Sequence, residues 1–201
     1  ICDAGEDVLY VNDDHSVAVN EEVLEEATQE IGVDKADLKK VVTAEVGNIF
    51  KFGTEKSEKM NIFYTDKDGE KKPIYLASYG VGITRVMGVI AEKMSDENGL
   101  VWPANVAPYH VYLATIGAVD AEAQALYEQL TKAGIEVLYD DRDARPGEKF
   151  ADAELMGIPY RMVLSSRMIE QNGVEVTERS TGETSVVDNE SLMNYLQERL
   201  K

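Results

Sequence analysis

Long apolar runs are missing from this 201-residue chain. None approaches the roughly 18 residues that a membrane-crossing helix needs, so no membrane partner is expected. Cysteine is scarce as well. Cys2 stands alone, which excludes an internal disulfide framework and fits a cytoplasmic protein. There is no opening methionine, and Asp3, Glu6 and Asp7 take the place of a basic leader. No signal peptide is expected, and the first residue suggests a chain cut from something longer. Basic charge is in short supply, with 20 Lys and Arg against 38 Asp and Glu and a net charge of −18. That balance argues against a general nucleic-acid coat, which neutralises many phosphates. It leaves room for a specific nucleic acid read through a small local patch. The two histidines, His15 and His110, lie far apart, and no Ser/His/Asp arrangement for nucleophilic catalysis is apparent.

Hydrophobic residues make up 44% of the chain, enough for real cores, and the length suits one large or two small domains. The most informative stretch runs from Ile74 to Met94. Its opening, Ile74-Tyr75-Leu76-Ala77, is a short apolar run of the kind a buried strand shows. After Tyr79-Gly80-Val81-Gly82, helical spacing places Ile83, Val86, Met87, Ile90 and Met94 on one face. Two glycines at the junction let backbone approach something bulky, or let strand and helix pack tightly. Arg85 falls in the first helical turn, where it gains nothing from the helix dipole. Dipole and guanidinium would act together on an anion, phosphate being the usual one. The alternative is a plain strand-turn-helix with Arg85 in solvent.

Around this stretch, the acid-rich residues 1–30 read as a solvated face, with a strand at Val8 to Val11 and Asn20 capping a helix to Ile31. Lys35 to Val42 reads as a further helical turn or two. Ala44 to Thr54 alternates as a strand, and Asn61 to Tyr64 is expected to pair with Pro73 to Leu76 across the turn at Asp66 to Gly69. Asn98-Gly99 is expected to stop the helix, and Val101 to Tyr109, bracketed by Pro103 and Pro108, reads as a linker. The domain boundary is placed there, giving domains 1–104 and 105–201. In the second, strands at His110 to Ile116, Ile135 to Tyr139 and Tyr160 to Ser165 alternate with helices at Ala121 to Ala133 and from Pro146 to Gly157. A hairpin turning at Thr181-Gly182 and a last helix capped by Asp188 or Asn189 complete a small α/β domain.

Within it Arg142, Arg145, Lys149 and Arg161 gather beside Phe150, Asp152 and Glu154. Such a set can hold unstacked bases, with a ring stacking on Phe150 and Glu154 or Asp152 accepting from a guanine edge. The alternative is a helix start with ordinary ion pairs and Phe150 in the core.

Several motifs in order break the ambiguity. They are Glu45-Val-Gly-Asn-Ile-Phe-Lys-Phe-Gly-Thr54, Tyr79-Gly-Val-Gly-Ile-Thr-Arg85, Asp96-Glu-Asn-Gly-Leu-Val-Trp-Pro103, and Asp140-Asp-Arg142 with Pro146-Gly, Phe150 and Gly157-Ile-Pro159. Together they closely resemble the carboxyl-terminal part of a bacterial-type prolyl-tRNA synthetase. Ser16-Val-Ala-Val-Asn20-Glu21 resembles a further element of that family, extending the likeness over essentially the whole chain.

The resemblance implies an α/β fold: the end of a class II antiparallel-sheet catalytic domain, then a small mixed-sheet anticodon-binding domain. It implies that Tyr79 to Arg85 is motif 3, with Arg85 as the catalytic arginine on ATP and Gly80 and Gly82 beside the nucleotide and prolyl-adenylate. Asn48, Phe50 and Ser78 would border the proline pocket. Ser78 stands where the family often has cysteine, a departure that bears on amino-acid discrimination. Phe150, Glu154 and Arg161 would read the two guanines of the proline anticodon, with Arg142 and Lys149 on the phosphate backbone. The implied partners are tRNA(Pro), proline, ATP with Mg2+ and, for the intact enzyme, a second copy in a homodimer. Only 23 residues separate Asn20 from Ala44, so the large editing domain of many bacterial members is not expected in this interval. Motifs 1 and 2 have no counterpart in these residues. The chain is therefore expected to be a fragment inactive alone, the alternatives being a non-catalytic tRNA-binding fragment or a synthetase-like accessory subunit.

Overall fold

A computed structural model describes residues 1–200, which form two compact units dividing between Glu92 and Lys93. In the first unit, β1 (Asp7–Val11), β2 (Ala18–Asn20), α1 (Leu24–Ile31) and β3 (Lys39–Thr43) come first. They are followed by β4 (Gly47–Gly53), α2 (Glu55–Lys59), β5 (Phe63–Thr65), β6 (Lys71–Pro73), β7 (Leu76–Val81) and α3 (Ile83–Lys93). β1 is the centre of an antiparallel sheet ordered β2-β1-β3. Val19, Leu24 and Leu38 form its small core, with Tyr10 and Ala27 packed against them. Asn20 caps the helical turn before α1, its side chain accepting from Glu22 N at 2.9 Å.

Two expectations need correction here. The turn foreseen at Lys35 to Val42 is a short 3-10 helix, Lys35–Asp37, followed by a strand. The β-branched pair Val41-Val42 extends because β1 offers an edge to pair with, register Val8 to Val42. The apolar run at Ile74 is also not a buried strand. β7 begins at Leu76, and Tyr79 and Val81 are 83% and 70% exposed. β4 and β7 pair only with each other, and most of their residues are exposed. Ile83 and Met87 on α3 are exposed as well.

The second unit opens with the hairpin β8 (Ser95–Asp96) and β9 (Gly99–Leu100). The helix has already ended at Lys93, so Asn98 falls in this hairpin's turn and Gly99 opens β9 opposite Asp96. Then come β10 (Val111–Ile116), α4 (Asp120–Lys132), β11 (Val137–Asp140), α5 (Pro146–Met156), β12 (Tyr160–Ser165) and α6 (Ser166–Glu170). β13 (Gly173–Glu178), β14 (Thr184–Asp188) and α7 (Asn189–Arg199) end the unit. The sheet runs β11-β10-β12-β13-β14, its first three strands parallel and the last two antiparallel.

β10 is buried throughout Val111–Ala114, as a central parallel strand covered on both faces should be. Its alternation splits two cores. Val111 and Leu113 join Leu126, Leu130, Met162, Val174, Leu192 and Leu196, whereas Tyr112 and Ala114 meet Ala153 and Ile158. Antiparallel pairing in one unit and a mixed sheet in the other is the α/β organisation the sequence implied.

Candidate functional site

In the first unit, the β4–β7 ladder sets Asn48 opposite Gly80 and Phe50 opposite Ser78. Residues directly opposite in an antiparallel pair project from one face, and so do alternate residues along each strand. Asn48, Phe50, Ser78 and Gly80 thus share a face. A Cβ on Gly80 would stand 3.9 Å from Asn48 Oδ1, so the glycine keeps that face low beside the amide. Phe50 stacks on Phe52 with ring centres 5.8 Å apart, and Lys56 Nζ lies 3.5 Å from the Phe52 ring centre.

At the start of α3, Gly82 N donates to Val46 O at 2.9 Å, carrying the ladder one step past β7. Arg85 lies one turn into the helix. Its Nη1 donates to Glu45 O at 2.7 Å and stands 3.7 Å from the Glu45 carboxylate. Half exposed, the side chain borders a cleft that Gly5, Glu6, Asp7, Gly88 and Glu92 also line. Glu6, Asp7, Glu45 and Glu92 make this surround acidic, so an anion here needs the guanidinium and an accompanying cation against the local field. Among the described residues, no group of three or more His, Cys, Asp or Glu side chains is placed to hold a metal ion.

In the second unit, three of the expected residues converge. Phe150 and Glu154 lie one turn apart on α5, and Arg161 lies on β12. Arg161 Nη1 donates to Glu154 Oε1 at 3.1 Å, and its guanidinium carbon lies 4.4 Å from the Phe150 ring centre. Nη2 donates to Thr177 Oγ1 at 3.3 Å, across the β12–β13 pair. Arg161 Nε is buried and has no partner. Glu154 remains 43% exposed, so its carboxylate can still accept from a ligand. Glu154 and Arg161 line a cavity with Asp96, Thr177, Arg179 and Thr181. Phe150 is half-buried, its ring packing against the Tyr112, Ala114, Ala153 and Ile158 layer as well as under Arg161.

Arg142 and Lys149 belong to a different cluster. The buried Asp140 carboxylate accepts from Arg142 Nε and Nη2, both at 2.8 Å, and from the Tyr112 hydroxyl. Arg142 Nη2 also donates to Asp152 at 2.7 Å. The Arg142 guanidinium holds the Asp140 carboxyl well below the usual carboxylate range. Burial, and then the bond to Asp140, push the Tyr112 hydroxyl up. Lys149 is only 3% exposed and donates to Asp140 O at 2.8 Å. In this geometry Lys149 is not available to a phosphate, and Arg142 meets one only alongside two carboxylates.

Arg179 and Asp96 were not singled out for this site. They were visible only as a basic residue beside the Thr181-Gly182 turn and as the first letter of a motif, and nothing local says that they meet.

Residues 110–199 match the anticodon binding domain family, which defines the class of the second unit. The chain's relatives are proline–tRNA ligases. It is 45% identical over 150 residues to that of Coprothermobacter proteolyticus, covering 75% of this chain and 26% of the relative. It is 50% identical over 144 residues to that of Geobacillus kaustophilus, 70% of this chain and 25% of the relative. Against Agrobacterium fabrum it is 46% identical over 154 residues, 75% of this chain and 35% of the relative. The chain thus spans about a quarter to a third of the length of these relatives.

Proposed function

We propose that this chain is a working part of a proline–tRNA ligase, one unit contributing to proline activation and the other holding the anticodon of tRNA(Pro). The observation that carries the reading is the meeting of Phe150, Glu154 and Arg161 within the anticodon binding match. An unstacked guanine presents an N1–H and an exocyclic amine on one edge, and a half-exposed carboxylate accepts both. Phe150 and the Arg161 plane offer a stacking surface, and Arg161 fixes the direction in which Glu154 points.

In the first unit, Asn48, Phe50 and Ser78 border the proline, and Gly80 and Gly82 leave room for the nucleotide. Arg85 exchanges its contact with Glu45 for a phosphate of ATP. In the activation step a proline carboxylate oxygen attacks the α-phosphorus, and the bond to pyrophosphate breaks. The tRNA 3′-terminal hydroxyl then takes the prolyl group and AMP leaves. Positioning and charge stabilisation suffice for both steps, with no protein nucleophile. Mg2+ bound to ATP would supply charge neutralisation on its phosphates, and no residue of this chain is assigned to hold it. The intact enzyme acts as a homodimer in the cytoplasm.

Proline-dependent exchange of pyrophosphate into ATP, assayed on the complete gene product, tests the enzymatic half. Footprinting on tRNA(Pro) tests the other. Exchange together with protection of the anticodon loop is expected. Protection without exchange would make the protein a non-catalytic tRNA-binding module, and the absence of both would overturn the reading.

A further inference from the structure

The cavity beside Glu154 has a wall that the anticodon reading does not use. Arg179, the residue after β13, is only 9% exposed in its side chain. Its Nη1 and Nη2 donate to the two oxygens of Asp96, each at 2.6 Å. This is the bidentate fork that arginine makes with a carboxylate, among the stronger and more directional pairs available. The third donor, Nε, reaches Glu154 O at 3.2 Å. That carbonyl lies in the last turn of α5 and also accepts from Gly157 N at 3.1 Å, so Arg179 is its second donor. Arg179 N also donates to Pro159 O at 2.8 Å, anchoring the backbone at the other side of the same turn.

Asp96 is itself held in place. Its Oδ1 accepts from Asn98 N at 2.9 Å and Gly99 N at 3.2 Å, so one carboxylate shapes the β8–β9 turn and grips Arg179. The hairpin lies directly on the end of α5. A Cβ on Gly99 would stand 2.5 Å from Leu155 Cα, and one on Gly157 would stand 2.3 Å from Leu100 O. Both glycines have positive φ, 143° and 71°. Trp102 N donates to Gly157 O at 3.1 Å, adding a further tie.

We propose that Arg179 is a positioning residue for the base-reading cavity: gripped by Asp96, it fixes the Glu154 main chain and with it the aim of the Glu154 carboxylate. The Ser95–Leu100 hairpin thereby becomes part of the recognition unit. Glu154 is held at both ends, by Arg161 on the side chain and Arg179 on the main chain, and Asp96, Glu154, Arg161 and Arg179 all face one cavity. A fold staple could have used any backbone carbonyl. This one uses the carbonyl of the residue whose side chain accepts from the base. The proposal rests on the reading that Glu154 accepts from guanine.

The test uses the chain as it stands, with two synthetic anticodon stem-loops. One carries the two guanines of the proline anticodon. The other carries inosine in their place, which removes only the exocyclic amines. The wild type is expected to favour guanine by about tenfold, the scale of one hydrogen bond to a charged acceptor. Arg179→Gln should bring that preference to near unity, and Asp96→Asn should reduce it at least threefold while keeping the hairpin turn. Circular dichroism and thermal unfolding establish that each variant is folded. If Arg179→Gln unfolds the unit, the Asp96→Asn ratio decides. A folded variant that keeps the full guanine preference, or loses affinity equally for both RNAs, overturns the proposal. A wild type with no guanine preference overturns the reading of Glu154 itself, a separate outcome visible before any variant is made.

Discussion

The guanidinium of Arg161 lies 4.4 Å from the centre of the Phe150 ring while one of its nitrogens donates to Glu154. A cation, an aromatic face and a carboxylate are thus stacked and hydrogen-bonded as one group. Phe150→Leu keeps the packing against Ala153 and Ile158 but removes the ring. Affinity for a proline anticodon stem-loop should fall by roughly 1–3 kcal/mol, the usual value of a base–aromatic stack. Fluorescence anisotropy measures this, and unchanged affinity would leave Phe150 a core residue alone.

Lys149 supports a different expectation. Its ammonium is buried on the Asp140 carbonyl, so Lys149→Met should lower unfolding stability by about 1–3 kcal/mol. The slope of log affinity for the stem-loop against log salt should not change. A slope shallower by about one unit would mean that Lys149 releases a phosphate counterion after all.

Acid sensitivity follows from Asp140 and Asp96. Arg142 depresses the first and Arg179 the second, each below the ordinary aspartate value near about 3.9. The unfolded chain therefore binds these protons first as pH falls, and folded stability declines with them. The contribution is fully present above about pH 5 and is lost as pH drops through the depressed folded values. Asp140→Asn should cost about 2 kcal/mol at neutral pH and flatten the dependence below pH 4. Urea midpoints measured from pH 7 to pH 3 check both, and an unchanged acid slope in the variant would contradict the assignment.

The docking of the β8–β9 hairpin is equally testable. Gly99→Ala places a Cβ against main-chain atoms that cannot swing aside and puts a side chain at a φ of 143°. A loss of about 2 kcal/mol or more in the stability of the second unit is expected, read by amide exchange at Gly157. An unaffected exchange rate would mean that the hairpin is not packed there.

The second unit was legible in the sequence because its signals are local. The Val111–Ile116 strand, the Pro146 start and Gly157 stop of α5, and the Thr181-Gly182 hairpin are each written in a few neighbouring residues. The first unit was less so. The apolar period at Ile83, Val86 and Met87 gives a helix and a face but cannot say what covers the face, and Ile83 stands 79% exposed. β3 was missed because its extension comes from pairing with β1, a neighbour distant in the chain. At the candidate site, Phe150, Glu154 and Arg161 came from spacing and resemblance. Arg179 did not, because a pair separated by more than eighty residues leaves no local mark.

The proposed division of labour between units yields a kinetic expectation. Arg85→Ala in the complete enzyme should slow proline-dependent pyrophosphate exchange by about a hundredfold or more, the scale of a lost phosphate clamp. Binding of the anticodon stem-loop should stay within twofold. Comparable losses in both assays would contradict the separation.

The most direct measurement is a titration of this chain with the proline anticodon stem-loop against the same RNA with both guanines changed to adenine. Adenine puts an N1 acceptor where guanine has the N1–H donor and a C–H where guanine has the 2-amine, so the pair of donors that the carboxylate accepts is lost and a lone pair faces it. Binding at least tenfold weaker to the adenine loop is expected for the wild type, with the difference lost in Glu154→Gln. Equal affinity of the wild type for both loops would contradict anticodon recognition at Glu154.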